Sequence, residues 1–235
     1  DYYDGGFVGY LEIDPTFTTT EHTYYFEDNG NSTCDDTSSG AGSGSMGGNI
    51  IFGLSKSTGE DCYRGAIEFD ISSIDDSATV TDVSLDLNIH ELKNGGSTSN
   101  CDIRSLTAIQ PTVSSAGDMF TGIDDGTLLI NDDFCTSAGS TGTITLDLGT
   151  TADSELTNQL SSDWFALGLH QDNDDSSGGL SGTPYYTVVN TPELTVVYTV
   201  QTAPQPPTGL TTVTGIPLEL DWTAPTDNGG SAITG

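Results

Sequence analysis

Between Val83 and His90 the chain reads Val-Ser-Leu-Asp-Leu-Asn-Ile-His, so Val83, Leu85, Leu87 and Ile89 alternate with Ser84, Asp86, Asn88 and His90. A period of two is the side-chain repeat of an extended strand, which puts the apolar set toward a core and the polar set toward water. Ile144, Leu146 and Leu148 repeat the pattern opposite Thr145 and Asp147. A strand of this kind cannot bury its face alone, so the chain must supply a second layer of strands.

Further β-type runs recur at Val8 to Ile13, Thr23 to Glu27, Asn49 to Leu54, Tyr63 to Asp70, Cys101 to Ala108, Trp164 to His170, Tyr185 to Asn190 and Glu193 to Val200. The alternating strand itself extends over Thr79 to Leu92, and its repeat over Thr141 to Leu148. Clusters of Gly, Ser, Asn and Asp separate them. No helical stripe exceeds two turns; the best is Asp153 to Ser161, where Leu156 and Leu160 stand four apart. The expected fold is all-β, a jelly-roll-like two-sheet β-sandwich with an extended C-terminal β tail. The sandwich is expected over residues 20–201, after an extended segment 1–19. A flexible loop is expected at Ser38 to Gly48, and a stiff polyproline-type linker, TAPQPP, at 202–207. The tail is 208–235.

Hydrophobic residues make up 34% of the chain, enough for a lean core, while 4 Lys+Arg face 35 Asp+Glu for a formal net charge of -31. Such a surface repels phosphate backbones and anionic lipids, which excludes nucleic acid as a partner. No apolar run is long enough to insert into a membrane as a helix. Self-repulsion on this scale calls for high salt or divalent cations, as an extracellular setting provides. Cys34, Cys62, Cys101 and Cys135 are an even set without CxxC spacing, which points to disulfides rather than zinc. Sequence order favours Cys34 with Cys62 and Cys101 with Cys135, each closing a loop of about 30 residues worth about 3 to 4 kcal/mol, with other pairings open. The chain starts at Asp1 without methionine, as expected of a cleaved product. The expected location is extracellular, at the cell surface.

Tyr63 to Leu92, YRGAIEFDISSIDDSATVTDVSLDLNIHEL, resembles the middle of the DNRLRE-type domain, a β-sandwich module related to carbohydrate-binding modules of archaeal and bacterial surface proteins. The matching features are an arginine before an apolar-aromatic strand ending in FD-x-S-x-I, a small acidic turn and an alternating strand. DWFALGL at Asp163 to Leu169 and PELTVVY at Pro192 to Tyr198 match later landmarks, so the likeness spans roughly residues 20–200. The tail, PPTGLTTVTGIPLELDWTAPTDNGGSAITG, is similar to the opening of a fibronectin type III domain, of which it holds the first two of about seven strands. These resemblances imply a surface-protein setting.

No catalytic constellation stands out, and the expectation is a protein that is not an enzyme. His22, His90 and His170 are far apart in sequence, and no GxSxG or GxxxxGK[ST] is present. No cofactor is required. Calcium is the ion that the loops suit, through Asp172, Asp174 and Asp175 and the pairs Asp124 with Asp125 and Asp132 with Asp133, although none has EF-hand spacing and a solvated acidic surface is the alternative. Asn31-Ser32-Thr33 is the one N-x-[ST] glycosylation sequon.

In the tail, Ile216, Leu218, Leu220 and Trp222 alternate with Pro217, Glu219 and Asp221, and one other short strand, Leu210 to Val213, accompanies them. Two strands are too few for independent stability. Their apolar face can be covered by a longer polypeptide, by the chain's own sandwich, or by the sheet of a neighbouring copy through strand donation. The N-terminal segment, with Phe7 and Tyr10, is a second donor or an edge strand. The leading expectation is an extracellular structural protein, a subunit of a filament or sheath built head-to-tail from copies of itself. Ile216, Leu218, Leu220, Trp222, Phe7 and Tyr10 would then lie at the subunit interface. The alternative is a carbohydrate-binding module of a larger adhesin or secreted enzyme, with surface polysaccharide as partner.

Overall fold

A computed structural model describes residues 10–28, 42–44, 49–55, 61–94, 101–131, 141–171, 185–201, 208–213 and 219–223. In chain order the elements are β1 (Tyr10–Ile13), β2 (Thr16–Asp28), β3 (Gly42–Gly44), β4 (Asn49–Ser55), β5 (Asp61–Asp70), β6 (Thr79–Asn94) and β7 (Cys101–Ser105). There follow α1 (Ala116–Asp124), β8 (Thr127–Ile130), β9 (Gly142–Asp147), α2 (Gly149–Gln159), β10 (Trp164–Gln171), β11 (Tyr185–Gln201), β12 (Thr208–Val213) and β13 (Glu219–Thr223). The first eleven strands form one antiparallel sheet, and β12 and β13 form a second of their own.

The large sheet folds over on itself. β5, β10, β7 and β8 lie side by side, with β2 on the far edge of β5, while β6 pairs with β9 on one side and β11 on the other. Ile67, Phe69, Phe165, Leu167, Leu169 and Ile103 of the first group share one buried core with Val83, Leu85, Leu87, Ile89, Val189, Leu194 and Val196 of the second. Strands that are not hydrogen-bonded to each other but bury their side chains together are two facing layers. β2 links the layers, pairing with β11 at Thr16 to Thr18 and with β5 beyond. The all-β sandwich expected from the alternation is the observed architecture.

Four local features differ from expectation. Tyr185 to Asn190 and Glu193 to Val200 are one strand, because Thr191, at φ 46, and Pro192 are absorbed in a register shift against β6. A bulge accommodates a proline that a regular ladder would reject. The shift is spanned by side chains: Asn88 donates to Asn190 at 2.7 Å, and Asn190 donates to Asn49 at 3.2 Å. Gly42–Gly44, inside the expected flexible loop, pairs with Tyr24 to Phe26 of β2. The helix expected at Asp153 to Ser161 starts earlier, at Gly149, and buries Ala152 and Leu156 against β6 before a 3-10 turn at Leu160–Ser162. Finally, α1 and β8 were not expected at all.

Among the described residues no helix is long and apolar enough to cross a membrane.

Candidate functional site

The most unusual feature lies on the outer face of the first layer. Along β5, Ile67 and Phe69 point to the inner core while Cys62, Arg64, Ala66 and Glu68 take the opposite face. Along β10, Phe165, Leu167 and Leu169 point inward, and Ala166, Gly168 and His170 outward. Asp102 and Arg104 do the same on β7, where His170 stands opposite Asp102 and Gly168 opposite Arg104. An outer sheet face with two arginines, a histidine and two acids would ordinarily be wet, yet α1 roofs it.

α1 can come close because the sheet beneath it carries small residues. Met119, Phe120 and Ile123 bury against Ala66, Ala166 and Leu106. A methyl group on Gly168 would meet Ile123 Cγ2 at 3.0 Å. The helix starts at a serine N-cap: Asp118 N–H donates to Ser115 Oγ at 3.2 Å, and Ser115 Oγ–H donates to Asp118 Oδ2 at 2.6 Å.

Its other end is held by the charges. Arg64, only 3% exposed, donates from Nη1 to the Phe120 carbonyl at 2.7 Å. Its guanidinium sits 4.3 Å from the Phe120 ring centroid, and its Nη2 lies 3.9 Å from Asp124 Oδ2. Arg104 donates to the Asp124 carbonyl at 2.5 Å and to Asp102 Oδ2 at 3.2 Å. His170, fully buried, has Nδ1 3.9 Å from Asp102 Oδ2 and Nε2 3.6 Å from Asp124 Oδ1. Cations at a helix C-terminus meet its exposed carbonyls and the negative end of its dipole. Half of the chain's four Lys and Arg are committed to this one network. The arrangement ties α1 to the sheet like a lock.

Next to the lock is an open cleft of about 340 Å³ lined by Glu68, Asp70, Ser72, Gln110, Thr112, Ser162, Asp163 and Trp164. Glu68 accepts from Gln110 Nε2 at 2.8 Å, Thr112 N at 3.0 Å and Thr112 Oγ1 at 3.1 Å, which fixes one wall. The Ser72 hydroxyl and amide donate to Asp70 and hold its carboxyl below the usual range. Asp163 sits in the left-handed region at φ 65, closing the 3-10 turn that leads into Trp164. The half-buried indole beside carboxylates, an amide and hydroxyls offers both a stacking surface and hydrogen-bonding groups.

Of the residues singled out in the sequence, Cys62 and Cys101 are disulfide-bonded. They cannot be bonded to each other: β10 separates their strands by about 10 Å, beyond the roughly 7 Å Cα limit of a disulfide, and they belong to different core clusters. Their partners are therefore drawn from Cys34 and Cys135, which lie outside the described residues with the expected pairing one of two left. Asn31, Asp132, Asp133, Asp172, Asp174, Asp175, Phe7, Ile216 and Leu218 also lie outside them. The Asp124 carboxylate lies 3.9 Å from Arg64 Nη2 and 3.6 Å from His170 Nε2, beside the exposed Asp125. Among the described residues no group of three or more His, Cys, Asp or Glu is placed to hold a metal. His90 is exposed on β6, whereas His170 is buried in the lock. Tyr10 lies in β1, opposite Gln201 of β11. Leu220 and Trp222 lie in β13, paired with β12.

No protein-family model matches the chain, and a search of curated proteins finds no match.

Proposed function

We propose that the chain is an extracellular structural protein, a subunit of a cell-surface filament or sheath joined to the next copy by strand donation. The observation that carries this is the β12–β13 hairpin, whose strands pair with each other and with no other described strand. A lone hairpin is marginal in water and gains stability by completing another sheet. β12 presents Leu210 68% exposed. Leu194 to Leu218 is the longest stretch of the chain without a charged residue. Copies carrying a net charge of -31 meet at least cost along such a stretch. Of the other candidate donor, the N-terminal segment, the described part, β1, pairs with β11 of its own sandwich. The disulfides at Cys62 and Cys101 favour an oxidising compartment.

Sedimentation of the full chain beside a chain ending at Pro207 tests the proposal. The full chain assembles and the shortened one is a folded monomer; equal assembly by both would refute donation through the hairpin.

The cleft at Trp164 favours a second reading, a carbohydrate-binding module of a larger surface protein. A glycan array separates the two: sugar binding abolished by Trp164→Ala supports the module, and a blank array removes it.

A further inference from the structure

We propose that the acceptor for the donated hairpin is the outer edge of β8, with β12 of a second copy pairing along Thr127 to Ile130 and Leu210 packing beside Leu128. The proposal rests on the assembly reading above and names the surface it requires.

β8 is an edge strand, pairing among the described residues with β7 alone, in the register Ile103 with Ile130, Arg104 with Leu128 and Ser105 with Thr127. Leu129 and Ile130 pack against the inner core, so the edge is anchored rather than loose. Protein edges usually carry charges or prolines that discourage pairing. β8 reads Thr-Leu-Leu-Ile and carries neither. The other edges differ: β1 contains Glu12, β9 ends in Asp147, and β3 is three residues long.

The donor side matches. Leu128 is 41% exposed and Leu210 68%, and with Val113 they are the large apolar side chains left exposed among the described residues. The exposed Asp125 stands two residues ahead of β8, and an incoming strand with carboxylates would be repelled by it. β13 carries Glu219 and Asp221, whereas β12, Thr-Gly-Leu-Thr-Thr-Val, carries no charge. β12 therefore lies against β8, with β13 on its far side, and the second copy's hairpin extends the acceptor's sheet. Salt that screens the flanking acid strengthens the contact.

Site-directed crosslinking tests the placement. A chain with Leu128→Cys is mixed with a chain with Leu210→Cys under mild oxidation, and disulfide-linked dimers are scored on a non-reducing gel. The mixture gives at least tenfold more 128–210 dimer than Leu210→Cys mixed with Thr145→Cys on β9, and the yield rises with sodium chloride. Equal yields from both mixtures, or none from the first while the unsubstituted chain assembles, overturn β8 as acceptor and leave donation standing. An unsubstituted chain that stays monomeric overturns both. In a second test, Leu128→Asp lowers assembly at least tenfold without changing the melting temperature, and adding Leu210→Lys restores it. Failure of the restoration refutes the pairing.

Discussion

Replacing Arg64 with methionine removes the central member of the lock while keeping a side chain of similar length. The lost hydrogen bond to the Phe120 carbonyl, charged and buried at 2.7 Å, is worth about 1.5 to 3 kcal/mol. The guanidinium over the Phe120 ring at 4.3 Å adds about 1 to 2 kcal/mol. The ion pair with Asp124 contributes little, since it spans 3.9 Å and the Asp124 side chain is 38% exposed, free to rehydrate. Methionine returns about 1 to 2 kcal/mol through its apolar contacts. The net expectation for Arg64→Met is a loss of about 0.5 to 4 kcal/mol, centred near 2, which in a chain of this size lowers Tm by roughly 1 to 16 °C. Guanidinium unfolding and calorimetry measure it, and proteolysis should open first around α1. Arg64→Lys keeps the charge without the planar fork and falls between. A loss below about 0.5 kcal/mol for Arg64→Met would refute Arg64 as the centre of the lock and leave α1 held by Met119, Phe120 and Ile123 with Arg104.

Burial raises the pKa of Asp153, with the carboxylates of Asp82 and Asp147 adding to the effect. The folded state then holds this proton more tightly than the unfolded chain, so ionised Asp153 costs stability that returns as pH falls through the raised pKa. Asp153→Asn therefore raises Tm at neutral pH, most at low salt, and the gain disappears below about pH 4; equal gains at all pH values would contradict this origin. Reduction of the disulfides at Cys62 and Cys101 costs about 2 to 5 kcal/mol each. A Tm unchanged after complete reduction contradicts their structural role. Calcium held by Asp172, Asp174 and Asp175 gives heat on titration and a Tm that falls with chelator; a flat titration with a chelator-insensitive Tm dismisses it.

The inner core was legible because its strands repeat at period two: Val83 to Ile89 and Ile144 to Leu148 can serve only as half-buried strands. The outer face was not, because Arg64, Glu68, Asp102, Arg104 and His170 occupy positions that read as solvated. Arg64, Asp102 and His170 are buried under α1, Arg104 is partly so, and Glu68 is covered by Gln110 and Thr112 ahead of the helix; α1 escaped notice for lack of a long apolar stripe. A local signal existed in Ser115 and Asp118, an N-cap serine and an acidic first turn ahead of Met119, Phe120 and Ile123. The other signal was compositional: a chain with four basic residues does not commit two of them to one face, one fully buried, without a structural use. β8 is four residues between acidic pairs, too short for any period to show. Thr191-Pro192 read as a break because proline cannot join a regular ladder, and only the bulge against β6 reveals one continuous strand.

Negative-stain microscopy of the full chain at salt concentrations that screen its charge tests the central claim most directly. Strand donation from the β12–β13 hairpin predicts long, uniform filaments that vanish when the chain ends at Pro207. A field of separate, globular particles at every salt concentration would contradict it.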